Sequence, residues 1–337
     1  MPHAFPSAAP ALAAALLLAG CTTLAPPLAA PALPVPAQYA EAAAAETAEL
    51  AVPAWHDYFT DPALQAVIEQ ALANNRDLRL ATLRVAEARA AYGIQRADEL
   101  PSVGANAGLM RIGLPENLGA GLPPSVAAMV PGTLTGYSAF AGISSWELYL
   151  WGRVRNLSEA ALRQYFAAEW VQRGATVSLV AQTANAWLAL CETDERLALA
   201  RRAQENRAES LRIFSRRVAV GATSRLDLAQ VRTLHQQAQA LVAQLEQQRA
   251  TQQHALDLIV GAPAPASTPV TASARLPGTD ALRPLPAGLP SALLTRRPDI
   301  QAAEQQLLAA HAQIGAARAA FLPRIALTAM AGTGSSE

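Results

Sequence analysis

The chain has no lysine: all 26 of its basic side chains are arginine, and 26 carboxylates balance them to a formal charge of zero. We read the missing amine as a mark of base composition. The neutral balance excludes a broad basic field, so nucleic acid is not an expected partner. Cysteine is nearly absent, at two residues, Cys21 and Cys191. Long apolar runs are absent too. The longest, Ala8 to Gly20, is too short to span a bilayer as a helix. The five histidines are scattered and no two stand four residues apart, so no metal site follows. There is no phosphate-cradling loop and no dinucleotide glycine pattern. Gly142-Ile-Ser-Ser-Trp146 is not a nucleophile elbow, since no glycine follows the serine. No cofactor, metal or catalytic residue is expected, and the chain does not read as an enzyme.

What is present is a helix-rich composition of Ala, Leu, Gln, Arg and Glu, and a duplication. Asp77-Leu78, Gly93, Arg96-Ala97 and Leu100-Pro101 recur 222 positions later as Asp299-Ile300, Gly315, Arg318-Ala319 and Leu322-Pro323. Ala81, Ala88 and Ala90 recur as Ala303, Ala310 and Ala312. Such self-similarity is settled before any fold is assigned. The repeated unit reads as a helix that stops at a proline hinge, Pro101 or Pro323, and continues as a strand. Proline removes a donor and drives the preceding residue, Leu100 or Leu322, out of helical space. Beyond it the period becomes two. Val103, Ala105, Ala107 and Leu109 share one face, and Gly104, Asn106 and Gly108 the other. Ile325, Leu327 and Ala329 oppose Arg324, Ala326 and Thr328 in the second copy. Apolar residues opposite polar or tiny ones over roughly ten positions fit a transmembrane barrel strand. An ordinary half-buried strand is the plainer alternative.

Residues 1–20 have the apolar core and small-residue cleavage site of a secretory leader. Cys21, directly after Leu-Ala-Gly, resembles the lipobox of bacterial lipoproteins, in which that cysteine carries the acyl chains; a plain leader followed by an incidental cysteine is the alternative. Acylation of Cys21 would leave no intrachain disulfide, and Cys191 becomes a small buried hydrophobe. Residues 21–54 are the expected tether, extended where Ala and Pro dominate. Residues 55–101 form the helices of the first repeat, with Asp61-Pro62 as a helix start and Trp55 and Phe59 as packing anchors. One helix spans 62 to about 74 and the next about 77 to 97. Residues 102–150 hold two strands, about 102–112 and 137–150, around a Gly/Pro-rich loop. Trp146, Tyr149 and Trp151, near the end of the second strand, suit a membrane interface or a packed core. Residues 151–261 form a long helical hairpin. Its first arm, from Arg153 to Val220, is roughly 100 Å long at helical rise. Val177, Val180, Ala184, Trp187 and Cys191 mark a 3,4 seam on it. Val231, Leu234, Ala238, Leu241 and Leu245 mark one on the return. Gly221 breaks the first arm, and Thr223, Ser224 and Asp227 open the second. Residues 262–290 are a Pro-rich link, and 291–337 begin the second repeat, so a further helical hairpin is expected from the internal symmetry.

These stretches resemble the outer-membrane factor family, the TolC-like channel-tunnels, and within it the NodT-type lipoprotein channels of resistance-nodulation-division (RND) pumps. The resemblance is carried by WHDYFTDPAL (55–64), LANNRDLRL (72–80), ARAAYGIQRADELP (88–101), SWELYLWGRVR (145–155), GATSRLDLAQ (221–230) and LPSALLTRRPDIQAAE (289–304). It implies a mainly α fold with transmembrane β-structure. Long antiparallel hairpins build an α-barrel, and strands of three subunits share a twelve-stranded β-barrel. It implies a passive efflux duct in the outer membrane: a homotrimer that meets a periplasmic adaptor (membrane fusion) protein and an inner-membrane RND pump. Gly221, Thr223, Ser224, Leu226 and Asp227, at the hairpin turn, are then the adaptor-facing residues, although a helix stop and cap also explains them. A type I secretion duct and a pore-free, lipid-anchored coiled-coil scaffold are the competing readings.

Overall fold

The computed structural model describes residues 23–29, 54–115, 123, 125, 132–148, 150–263, 282–283 and 291–336. The elements are α1 (Trp55–Tyr58), α2 (Pro62–Asn74), α3 (Arg76–Ala97), β1 (Val103–Gly113), β2 (Thr133–Glu147), α4 (Arg153–Ala219), α5 (Arg225–Val260), α6 (Pro298–Ala319) and β3 (Ala326–Ser336). They divide into two compact units. One comprises Met1–Pro31, Ala86–Ala167 and Ala303–Glu337, the other Ala32–Val85 and Ala168–Ala302.

The first unit is built on an antiparallel sheet in the order β1-β2-β3. Val103 pairs with Ile143 and Leu109 with Tyr137. Ile143 in turn pairs with Ala329, and Ala139 with Thr333. The face of Val103, Ala105 and Ala107 thus continues through Ile143, Ala141 and Ala139 to Ala329 and Ala331. The opposite face runs through Gly104, Gly142 and Met330, then Asn106, Phe140 and Gly332. It is less polar than its β1 residues suggest. Every residue of β1 is exposed, so neither face of that strand is covered by the described residues. Gly142 and Gly332 lie where strands approach closely. A Cβ on either would fall within the backbone of the neighbouring strand, which is the use of glycine inside a strand.

β2 differs from the expected 137–150: it starts at Thr133 and ends at Glu147. Pairing of Gly113 with Thr133 extends its start, a long-range effect that local composition does not carry. A bulge between Ile143 and Trp146 inserts one residue and moves Trp146 onto the face of Leu327 and Ala329. The hinge differs in detail too. α3 and α6 end at Ala97 and Ala319, each four residues before its proline. Short three-residue turns, Leu100 N–H to Ala97 O and Leu322 N–H to Ala319 O, unwind the chain first.

The second unit has a core of Phe59, Leu64, Val67, Ile68 and Ala71 against Leu179, Val180, Ala184, Trp187, Leu190 and Cys191 of α4 and Leu256 and Val260 of α5. α2 begins as its cap chemistry dictates: Asp61 accepts from the amides of Ala63 and Leu64, with proline at the first helical position. α5 ends at Gly261, in the left-handed conformation at φ 79°. There the Asn75 side-chain amide donates to Ile259 O at 2.7 Å. A Cβ at Gly261 would crowd the Asn74 carbonyl, so the end of α5 abuts the start of α3.

The hairpin seam corrects two expectations. Val177 is 62% exposed and lies outside the buried set. On α5, Leu234 and Leu241 face solvent, while Val242 and Leu245 pack with Leu197 and Ala200 of α4. The seam runs Val231, His235, Ala238, Val242, Leu245. Two 3,4 stripes share residues 231, 238 and 245, and packing against α4 selects between them.

Candidate functional site

The hairpin turn is closed at both ends by local backbone chemistry. Ala222 N–H donates to Arg217 O and Gly221 N–H to Val218 O, with Gly221 at φ 75°, the glycine-terminated stop of a long helix. The return helix opens on a capping box. Ser224 Oγ accepts from Asp227 N–H at 3.1 Å, and Asp227 Oδ2 accepts from Ser224 N–H at 3.2 Å. The same carboxylate oxygen accepts from the hydroxyls of Ser224 and Thr223 at 2.7 and 2.8 Å. These bonds, the Ser224 hydroxyl foremost, then the Thr223 hydroxyl and the Ser224 amide, hold the Asp227 carboxyl below its ordinary value. Thr223, Ser224 and Asp227 therefore come together as one cluster. Leu226 does not join it: it is 67% exposed, and Val220, on the other side of the turn in sequence, is 79% exposed. A turn closed by hydrogen bonds thus leaves two apolar side chains exposed, and Val220 is a residue that sequence reading left out.

In the first unit the structure adds partners that spacing could not supply. Trp146 Nε1–H donates to Glu99 O at 3.3 Å, beside the Pro101 hinge. Trp151 Nε1–H donates to the carbonyl of Pro323 itself at 3.0 Å. One segment, β2 to the start of α4, thus holds the hinges of both repeats. Arg153 grips Glu147 with both arms of its guanidinium, Nε to Oε1 at 2.8 Å and Nη2 to Oε2 at 2.5 Å, and spans the intervening turn. Half-buried indoles seek an acceptor, which is the one signal that pointed this way. Tyr149 and Cys21 lie outside the described residues.

The start of the tether is also held. Thr23 Oγ1 donates to Asn156 Oδ1 at 2.9 Å. His311 Nε2 donates to Pro26 O at 2.7 Å and Arg318 to Leu24 O at 3.3 Å. Among the described residues no group of three His, Cys, Asp or Glu side chains is placed to hold a metal. No helix among them is long and apolar enough to cross a membrane.

The family model described as outer membrane efflux protein matches residues 67–262 and 289–337. The antibiotic efflux pump outer membrane protein ArpC of Pseudomonas putida is 39% identical over 330 residues, which cover 96% of this chain and 66% of that relative. The chain thus spans just under two thirds of that relative's length. A crystal structure of a membrane protein from Pseudomonas aeruginosa superposes with a TM-score of 0.79 at 32% identity, covering 94% of this chain and 73% of that one. The open state of the Neisseria gonorrhoeae MtrE outer membrane channel gives 0.72 at 30% identity, covering 94% and 72%.

Proposed function

Because the chain belongs to the outer membrane efflux protein family, we propose that it acts as the outer-membrane exit duct of a tripartite RND-type efflux system. Its relative ArpC is an antibiotic efflux pump outer membrane protein, which supports this class of cargo. The observation that carries the reading is the sheet. β1 and β3 are its outer strands, and β1 is bare along its whole length. In lipid an open edge is untenable, and closure with sister strands satisfies every backbone group. We therefore infer a homotrimer in the outer membrane, with Cys21 acylated and embedded in it. Trp146 and Trp151 sit at the strand ends, where interfacial aromatics gather. Transport is passive: the duct supplies a water-filled path and the inner-membrane pump supplies the work.

The closed turn with Val220 and Leu226 displayed suits a protein contact, and we assign it to the periplasmic adaptor, with Gly221, Thr223, Ser224, Leu226 and Asp227 forming the contact. Two measurements test the proposal. Purified protein in planar bilayers should give single-channel conductance. Gly221→Asp should keep expression and trimer while abolishing drug resistance in a strain that lacks its own duct. Absence of conductance contradicts the pore, and unaltered resistance in Gly221→Asp contradicts the adaptor contact.

A further inference from the structure

Beside the Pro101 hinge, a cleft of about 470 Å³ opens between two helix faces of the first unit. α3 and the turn after it contribute Tyr92, Arg96 and Glu99, and α4 contributes Arg155, Ser158, Glu159 and Leu162. Both sets follow 3,4 spacing, so each is one face of its helix. Trp146 fixes the backbone of Glu99 through its carbonyl.

The charges around the cleft divide into those already matched and those left open. Arg163 is taken by Glu159 at 2.7 Å, Arg153 by Glu147, and Asp98 by the Gln95 amide at 2.9 Å. Arg96, Arg155 and Glu99 make no ion pair or side-chain hydrogen bond among the described residues. Two guanidinium groups thus share the cleft with one open carboxylate, a surplus of one positive charge. Like charges held together repel, and a bound monoanion removes the surplus. The second repeat does not reproduce this lining. Ile314 and Phe321 stand 222 positions after Tyr92 and Glu99, although Arg318 matches Arg96. The duplicated helix does without these two polar groups, so its fold does not call for them.

The neighbouring surface selects the class of anion. Leu100 and Val103, directly after Glu99, are 71% and 74% exposed, and the rest of β1 is bare as well. An ionic cleft followed by exposed apolar surface matches an amphiphile. Arginine suits phosphate, because its planar fork donates two parallel hydrogen bonds. Resting on the placing of the strands in the outer membrane, we propose that Arg96 and Arg155 bind the phosphate of a phospholipid. Its headgroup carries one net negative charge and free hydroxyls, as in phosphatidylglycerol. Both guanidinium groups donate to phosphate oxygens, and Glu99 accepts from a headgroup hydroxyl. Tyr92 and Ser158 supply further hydroxyl donors. The acyl chains pass Leu100 towards β1.

The test uses full-length trimers in detergent, titrated with dioleoyl phosphatidylglycerol or dioleoyl phosphatidylcholine and read by native mass spectrometry. Wild type should hold phosphatidylglycerol, up to one per chain, at least about tenfold more tightly than Arg96→Gln combined with Arg155→Gln. Phosphatidylcholine has no net charge and no headgroup donor, so it should not distinguish the two proteins. Leu162→Trp keeps every charge and fills the cleft, and it should lose phosphatidylglycerol to the same degree. Equal retention of phosphatidylglycerol by wild type and both variants overturns the site, and a cleft covered by a sister subunit would give that result. An equal loss of phosphatidylcholine in the variants overturns the headgroup assignment. Displacement of the lipid by an equal concentration of glycerophosphoglycerol, the same head without acyl chains, overturns the lipid in favour of a soluble phosphate. Wild-type conductance is read on the same samples. Conducting trimers that hold phosphatidylglycerol no better than the variants remove the site and leave the duct standing.

Discussion

At Gly221 the backbone, not the available room, decides what is tolerated. Nothing lies within 4 Å of a Cβ there, but φ is 75°, which costs an ordinary residue about 1–2 kcal/mol. Gly142 is the opposite case, ordinary in φ and walled in by the backbone of Ala329. Gly142→Val should therefore push β3 off β2 and remove the trimer band on native gels; trimers of undiminished yield would contradict the close approach. Cys191 should behave as core. Burial pushes its thiol up to about 11, with the Asp194 and Asp61 charges adding to the effect. Maleimide at neutral pH should leave it unmodified until denaturant is added, and rapid labelling of the folded protein would refute this. Asp227 gives a pH dependence of known sign. Its carboxyl lies below the ordinary 3.8 when folded, so its contribution is complete above that value and fades as pH falls through the lower, folded one. The difference in thermal midpoint between wild type and Asp227→Asn should be constant above about pH 5 and shrink as the pH falls below the ordinary carboxylate value. A difference that persists in acid would show that the carboxylate is not what closes the turn.

Among the elements, the hairpin gives the sharpest test, because its two leucine stripes have separate jobs. Leu245 is 3% exposed against α4 and Leu241 is 45% exposed. Leu245→Ala should destabilise the hairpin by about 2–5 kcal/mol, read as earlier proteolysis of α4 and α5. Leu241→Ala should leave that pattern unchanged, and equal sensitivity of the two variants would undo the assigned seam. The same contrast shows what the sequence could reveal. α2 and the end of α5 were legible because their signals are local: Asp61 before Pro62, and Gly261 before Pro263. The choice of Leu245 over Leu241 was not, since both fit a 3,4 repeat and only the facing α4 discriminates. The start of β2 depends on pairing with Gly113, and the bulge at Ser144-Ser145 on pairing with β3. The acceptors of Trp146 and Trp151 come from residues 47 and 172 positions away, beyond any local pattern. At the turn, the cap residues were readable from their types, while the exposure of Val220 was not. The tether's clasp was hidden because Ala/Pro composition describes an isolated chain, and His311 and Arg318 reach it only once folded.

For the whole molecule, the balance of surfaces decides the account. The described chain leaves β1 bare and keeps Leu199, Ile213, Leu234 and Leu241 of the hairpin exposed. Apolar surface left in water on that scale marks an interaction site, and an open sheet edge invites pairing. Both are answered together if sister chains supply the missing neighbours. The central claim is thus that the protein closes its sheet only by sharing a barrel. The most direct measurement is the mass of the purified protein–detergent complex by native mass spectrometry. The account predicts three chains per complex, with detergent retained. A monodisperse single chain, stable in water without detergent, would contradict it.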